Sequence, residues 1–245
     1  MPIPEGVFCA DGIPTKSGGK MTPYYESKLG KLYHGDCLDI MPQLDPVDLV
    51  ITDIPYDEVN RDDNGLRNLN KKDADVLCFD LPIFLEQCVK ITRGCFYTFC
   101  GTEQVSRIRE TLVDMGLSTR LGFWEKTNPS PMNGQHIWLS GVECFVYGKK
   151  KNGVHNANCK NPVFKNVVAR NQIHPTQKPF GVIQQIVLAS SNPNQDVLDP
   201  CFGSGTLGVV CEKNNRRWIG IEISEKYCEI AAKRIESEAS QLKLW

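Results

Sequence analysis

The sequence contains no run of 18 apolar residues, and its first residues lack an apolar signal core. A helical membrane span and secretion are therefore not expected, and the expected location is the cytoplasm. No Cys-x-x-Cys pair occurs among the eleven cysteines. The number is odd, and residues such as Cys95, Cys100 and Cys144 lie inside apolar stretches, so the pattern points to reduced, buried thiols and away from zinc or a disulfide frame. There is no excess of either charge: the net value is −1, so any nucleic-acid-binding surface must be local. No internal repeat is present. At 245 residues, with 41% hydrophobic and 23% charged positions, the chain can form one α/β domain with a small insertion, but not two large domains.

The most informative stretch is VLDPCFGSGTLGVV, Val197 to Val210. Asp196 to Leu198 reads as a short strand, ended by Asp199 and Pro200. Gly203, Ser204 and Gly205 make a turn in which two residues lack a Cβ, so a ligand can approach the backbone. Thr206 to Cys211 then begins a helix. Strand, glycine turn and helix N-terminus form the nucleotide-binding crevice of a doubly wound α/β fold. The spacing is not GxGxxG, which argues against a dinucleotide. An acid before the turn suits an ammonium group, and Glu222, at the end of the next strand (Arg216 to Ser224), lies where a ribose-binding carboxylate belongs.

The remaining elements follow in order. Met1 to Lys28 reads as an arm, anchored by Pro23, Tyr24 and Tyr25, and 29–245 as the catalytic domain. Lys31 to Gly35 is a strand and Cys37 to Leu44 a short helix. Val47 to Thr52 is an apolar strand of the doubly buried kind, ending in Asp53, Ile54, Pro55 and Tyr56. Asp57 to Asp75 is a long polar connection. Asp80 to Thr92 is expected to be a helix burying Ile83, Phe84, Cys88 and Ile91, and Gly94 to Cys100 a strand. Glu103 to Met115 is a helix stopped by Gly116. Ser118 to Lys126 and Val142 to Gly148 form a hairpin across Asn128 to Ser140. Lys149 to Lys178 carries seven basic residues and no acid, and 149–173 is read as a small recognition insertion. Helix Pro179 to Ser190 leads into the glycine-turn strand, and Ser224 to Gln241 is the closing helix.

These motifs resemble the S-adenosylmethionine-dependent amino-methyltransferases of DNA. DPCFGSGT, Asp199 to Thr206, is similar to that family's cofactor loop, and GIEIS to its ribose-binding strand. DIPY, Asp53 to Tyr56, is similar to its catalytic tetrapeptide, HPTQKP to its methionine-side segment, and YHGDC, Tyr33 to Cys37, to its adenine-side strand end. The tetrapeptide precedes the cofactor loop, as in the permuted beta class. The resemblance implies a Rossmann-like methyltransferase fold: a mostly parallel twisted sheet with helices on both faces and a circularly permuted motif order. It implies S-adenosylmethionine held by Asp36, Cys37, His174, Thr176, Asp199, Pro200, Phe202, Gly203, Ser204, Gly205, Thr206 and Glu222, with no metal. The expected partners are double-stranded DNA, tracked by Lys160, Lys165 and Arg170, and a second copy of the chain as homodimer.

An exocyclic amine is a weak nucleophile because its lone pair is delocalised into the ring. Acceptors must hold its N–H groups and aim the lone pair at the methyl donor. By resemblance, the Asp53 carboxylate and the carbonyl of residue 54 are those acceptors. The family usually has Pro at that second position; Ile54 also supplies a carbonyl, without fixing φ. Tyr56 would stack on a flipped base, a contact worth about 1–3 kcal/mol against a flipping cost of a few. Asp in the first position is typical of adenine N6 relatives and Ser of cytosine N4 relatives, so adenine N6 is the expected target in a site-specific, restriction–modification setting. Cytosine N4 is the alternative, and an inactive cofactor-binding subunit is a further one. The Pro200–Cys201 pair lies inside the cofactor turn, so Cys201 is read as structural and not as a nucleophile of the cytosine C5 kind.

Overall fold

The computed structural model describes residues 21–55, 79–131, 135–168 and 177–242. In chain order these form β1 (Tyr25–Glu26), β2 (Gly30–His34), α1 (Cys37–Ile40), β3 (Val47–Asp53), α2 (Leu81–Ile91), β4 (Thr92–Cys100), α3 (Val105–Asp114), β5 (Ser118–Lys126) and β6 (Val142–Lys149). They continue with β7 (Val163–Asn166), α4 (Phe180–Ser190), β8 (Asp196–Asp199), α5 (Thr206–Lys213), β9 (Arg217–Glu222) and α6 (Glu225–Leu242).

Helix starts follow local chemistry. The Asp80 carboxylate accepts from the Ile83 N–H at 3.2 Å, and a Pro stands in the first turn of α2. Asp36 caps α1 in the same way, accepting from the Leu38 N–H at 2.8 Å. Gly116, at φ +83°, follows the end of α3 in the left-handed conformation that glycine adopts readily.

Among the described residues the strands make one sheet, in the order β1-β2-β9-β8-β3-β4-β6-β5-β7. The run from β2 to β4 is parallel, β6 is antiparallel to β4 and β5, and β7 is parallel to β5. One face packs on α4, α5 and α6, through residues such as Val182, Ile186, Leu207, Val210, Cys228 and Ile235. The other packs on α1, α2 and α3, through Ile40, Phe84, Leu85, Ile108 and Leu112. Both faces being covered explains why β3 is continuously apolar. Leu49 and Ile51 face the first core and Val50 the second; Val47 joins the second because the register shifts between Val47 and Leu49.

One expected burial is corrected. Ile83 is 48% exposed, and α2 instead buries Leu81, Phe84, Leu85, Cys88, Val89 and Ile91. At about 100° per residue the buried positions fall within one arc of the helix, and Ile83 lies outside it. Tyr25 and Glu26 of the N-terminal stretch pair with β2 as its antiparallel neighbour. Within the basic stretch, β7 extends the sheet by pairing with β5.

Candidate active site

The chain leaves β8 through α5 toward β9 on one side, and leaves β3 through α2 toward β4 on the other. The carboxyl ends of β8 and β3 thus border the point where the winding reverses, which is where open α/β sheets form their binding crevices. Leu198 stands opposite Val50 in this pair, so Asp199 and Asp53 end adjacent strands at the same edge. The antiparallel β6 brings its first residues to that edge as well, since Cys144 pairs with Cys100.

Asp199 lies half-buried in the crevice. Its carboxylate accepts from the Cys201 N–H at 3.0 Å, and among the described residues it has no cation partner. Burial, reinforced by the charges of Asp53 and Glu222, pushes its carboxyl up to about 8. The glycine turn follows. Gly203 has φ +53° and a Cβ there would meet nothing within 4 Å, so its conformation needs glycine and the space before it is open. Gly205, at φ +77°, closes the turn and starts α5; a Cβ there would come within 2.9 Å of the Ala231 Cβ, so the turn also packs tightly on α6.

Glu222 ends β9 opposite His34 of β2. Its two oxygens accept from the Gly203 N–H at 2.7 Å and the Ser224 N–H at 2.9 Å, and its own carbonyl accepts from the Gly35 N–H at 3.0 Å. Burial pushes its carboxyl up against those hydrogen bonds. One residue therefore ties the glycine turn to the strand end that carries Asp36 and Cys37. The neighbouring Cys37 thiol, together with burial, pushes the Cys201 thiol well above the thiol range. A thiol held neutral in this way is no nucleophile.

The other expected residues divide into three groups. Ile54 is buried, and its N–H donates to the Phe99 carbonyl at 3.3 Å; the Pro55 carbonyl accepts from Gln104 Nε2 at 3.1 Å. Pro200 is buried, and the Phe202 side chain lies in the core, stacked on Trp218 at 5.3 Å, so toward the turn it contributes its carbonyl, which accepts from the Gly205 N–H. Ser204 and Thr206 are likewise buried. Lys160 is exposed, and Lys165 is an exposed partner of Glu125 at 3.2 Å. Tyr56, Arg170, His174 and Thr176 lie outside the described residues.

Several functional candidates escaped the sequence reading. Arg234 of α6 donates to the Ser204 carbonyl at 3.0 Å, the Ser204 hydroxyl at 3.3 Å and the Thr206 hydroxyl at 3.1 Å, so it braces the glycine turn. Gln104 is buried and holds the Pro55 carbonyl while accepting from the Gly101 N–H at 2.8 Å. Lys178, counted in the basic run, is only 7% exposed and contacts Asp53 and the Glu143 carboxylate of β6. Lys150 of the same run donates to the Val89 and Thr92 carbonyls at 2.7 and 2.6 Å, where it satisfies the end of α2. The only sequence signal for Lys178 was its place in HPTQKP; Glu143, Gln104 and Arg234 had none. At the rim, Ile137, Trp138 and Leu139 are exposed, Trp138 by 95%.

Comparison with known proteins agrees with this geometry. The chain is 27% identical over 264 residues to the Type II methyltransferase M2.LlaDCHI of Lactococcus lactis subsp. cremoris, covering 92% of this chain and 97% of that protein. It is 33% identical over 223 residues to the Type II methyltransferase M.HpaI of Haemophilus parainfluenzae, covering 78% and 69% respectively. The structure matches that of an M1.HpyAVI–SAM complex with a TM-score of 0.70 at 27% identity, over 84% of this chain and 99% of that one. Residues 47–233, which include both crevice aspartates, match the N6_N4_Mtase model, described as DNA methylase. The chain belongs to that family of DNA methylases.

Proposed function

We propose that this chain transfers a methyl group from S-adenosylmethionine to the exocyclic N6 amine of adenine in double-stranded DNA. The observation that carries the reading is the pair of carboxylates at the ends of adjacent strands, Asp53 in the tetrapeptide and Asp199 before the glycine turn. They differ in role because they differ in surroundings. Asp199, half-buried and without a cation partner among the described residues, fits the cofactor's ammonium, whose charge would restore what desolvation removes. Glu222, with one hydrogen bond accepted at each oxygen, keeps acceptor capacity for ribose hydroxyls. Asp36 and Cys37 take the adenine edge, and Gly203 leaves room for the chain between them. His174 and Thr176 close over the methionine end.

When bound, S-adenosylmethionine supplies an electrophilic sulfonium methyl. The chain supplies acceptors for the amine, the Asp53 carboxylate and the Ile54 carbonyl, fixed before the substrate arrives. Gln104 holds the Pro55 carbonyl, so the loop after Ile54 is anchored although position 54 is not proline. Tyr56 stacks on the flipped base. Lys160, Lys165 and Arg170 run along the phosphates, and the exposed Ile137, Trp138 and Leu139 offer a second contact surface. The Type II names of the relatives support a restriction–modification role. Seven of the nine cysteines among the described residues are buried free thiols, which fits a reducing cytoplasm. Sedimentation of the purified chain would read the homodimer expectation.

The test is methylation of unmodified duplex DNA with isotopically labelled S-adenosylmethionine, followed by nucleoside mass spectrometry. Label in N6-methyladenine is the expected result. Label in N4-methylcytosine would move the target base, and the absence of label with cofactor binding intact would favour the inactive-subunit reading.

A further inference from the structure

Four charged side chains from four parts of the chain form a row at the catalytic end of the sheet. Lys178 Nζ, on the approach to α4, lies 2.6 Å from Asp53 Oδ2 on β3 and 3.1 Å from Glu143 Oε2 on β6. The other Glu143 oxygen, Oε1, is 2.8 Å from Lys126 Nζ at the end of β5. Signs alternate along the row, and side-chain exposure is 16%, 20%, 7% and 24% from Lys126 through Glu143 and Lys178 to Asp53, so the whole row is shielded from water. Lys178 also lies over the Phe99 ring, 5.2 Å from its centroid, which shields the ammonium on that side.

Ion pairs of this kind are rarely the best way to stabilise a fold. Desolvating the charges offsets most of their attraction, and apolar replacements are often as stable. What such a row does supply is position. Lys126 and Lys178 hold Glu143, and Glu143 and Asp53 hold the Lys178 ammonium, so the Asp53 carboxylate cannot turn without breaking a charged hydrogen bond.

We propose that Lys178 is a positioning residue for methyl transfer: it fixes one oxygen of Asp53 and keeps that carboxylate charged and oriented toward the target amine, while Glu143, itself held by Lys126, fixes Lys178. The inference rests on the reading of Asp53 as the amine's acceptor. An ionised carboxylate has about four lone-pair sites, so the contact with Lys178 does not use up its capacity to accept from an amine.

The electrostatics of the row agree with its geometry. Burial pulls the Lys178 ammonium down, but Asp53 and Glu143, through charge and hydrogen bonds, pull it up further, so it stays protonated. Burial pushes Glu143 up, and the Lys178 and Lys126 charges overcome this and hold it at about 2. The groups facing Asp53 from neighbouring elements are Asp199 on β8 and Cys100 on β4, both pushed up in part by its charge, with Glu143 on β6 behind Lys178. Without the ammonium, a carboxylate among these neighbours takes up a proton more readily, and a neutral carboxyl is a poor acceptor.

The test compares single-turnover methylation of duplex DNA, at cofactor concentrations that saturate each protein at each pH, by wild type, Lys178→Met, Lys178→Arg and Glu143→Gln from about pH 6 to about pH 9, with cofactor affinity and melting temperature recorded for each. Lys178→Met should lose on the order of 10²-fold in transfer rate with cofactor affinity within a few fold. Its remaining rate should climb with pH, up to about tenfold per unit, where wild type is flat, and Lys178→Arg should recover part of the loss. Glu143→Gln, which leaves the ammonium in place but loosens it, should slow transfer about tenfold and keep the wild-type pH profile. A folded Lys178→Met with near-normal rate overturns the proposal, as does a rate loss with a wild-type pH profile. If Lys178→Met does not fold, a Glu143→Gln protein as fast as wild type overturns it instead. Asp53→Asn separates the two readings: full activity in that variant sinks the role of Asp53 itself, whereas an inactive Asp53→Asn beside an unaffected Lys178→Met sinks only the role of Lys178.

Discussion

Cofactor affinity should pass through a maximum near pH 8, and Asp199 is the reason. Burial, with the charges of Asp53 and Glu222, holds its carboxyl at about 8, close to the roughly 7.7–8.0 of a free α-amino group. The bound pair shares one proton between carboxylate and amine. Below pH 8 the two free partners carry two protons, so binding releases one; above pH 8 they carry none, so binding takes one up. Affinity therefore falls by about tenfold per pH unit on either side. At about pH 6, two units down, the loss is on the order of 100-fold, or roughly 2.7 kcal/mol at ~1.36 kcal/mol per unit. Titration calorimetry with S-adenosylmethionine, in buffers of different ionisation enthalpy, reads the affinity and the proton count together. Asp199→Asn should bind weakly and lose the acid limb. An affinity that is flat from about pH 6 to about pH 8, with no proton released, would refute the pairing of Asp199 with the ammonium. Stability of the cofactor-free protein runs the opposite way: a carboxyl raised from 3.8 to about 8 holds its proton more tightly in the folded state. The cofactor-free protein should thus lose stability as pH rises through that window, and added cofactor should protect it most at the upper end.

Three further outcomes can be measured. Ile54→Pro supplies the residue the family usually carries and keeps the carbonyl, but it removes the N–H that donates to Phe99 and part of a side chain that is 1% exposed. It should destabilise the protein by about 1–3 kcal/mol in denaturant melts while turnover per folded molecule is retained; a folded but inactive variant would count against the carbonyl's role. Arg234→Met removes the brace behind Ser204 and Thr206, and cofactor affinity should fall about tenfold, in line with roughly 1.5–3 kcal/mol for hydrogen bonds to a charged group. Replacing Lys160, Lys165 and Arg170 together by Ala should reduce the slope of log DNA affinity against log salt by about 2.7, at ~0.9 per phosphate contact. The exposed Lys165–Glu125 pair is weak enough to give way to a phosphate. An unchanged slope with unchanged preference on cognate and scrambled duplexes would shift the DNA contacts to the Asp57 to Asp75 or Asn128 to Ser140 loops.

The sequence by itself determined the parts of the protein whose physics is local. A doubly buried strand is a run of apolar residues, and a tight turn that lets a ligand approach the backbone needs residues without a Cβ; β3 and Gly203 with Gly205 were legible for those reasons. So were the two acids that meet in the crevice, because each ends its own strand. Only the tertiary structure decided which distant side chains meet them. Lys178 lies 125 residues from Asp53 in the chain, and its place in HPTQKP pointed to the methionine side and not to Asp53 until the fold set β3, β6 and the approach to α4 at one edge. Glu143 reads as a strand residue like any other, and it becomes part of the site because β6 runs antiparallel and so starts where its neighbours end. Arg234 reads as one more charge on an amphipathic helix, and Phe202 as part of a ligand loop, but the packing of α6 behind the turn and of Phe202 on Trp218 assigns them the other way round. Periodicity and motif spacing act along the chain, whereas charge compensation in a crevice acts through space, and a sequence records the second only after the strands have found their order.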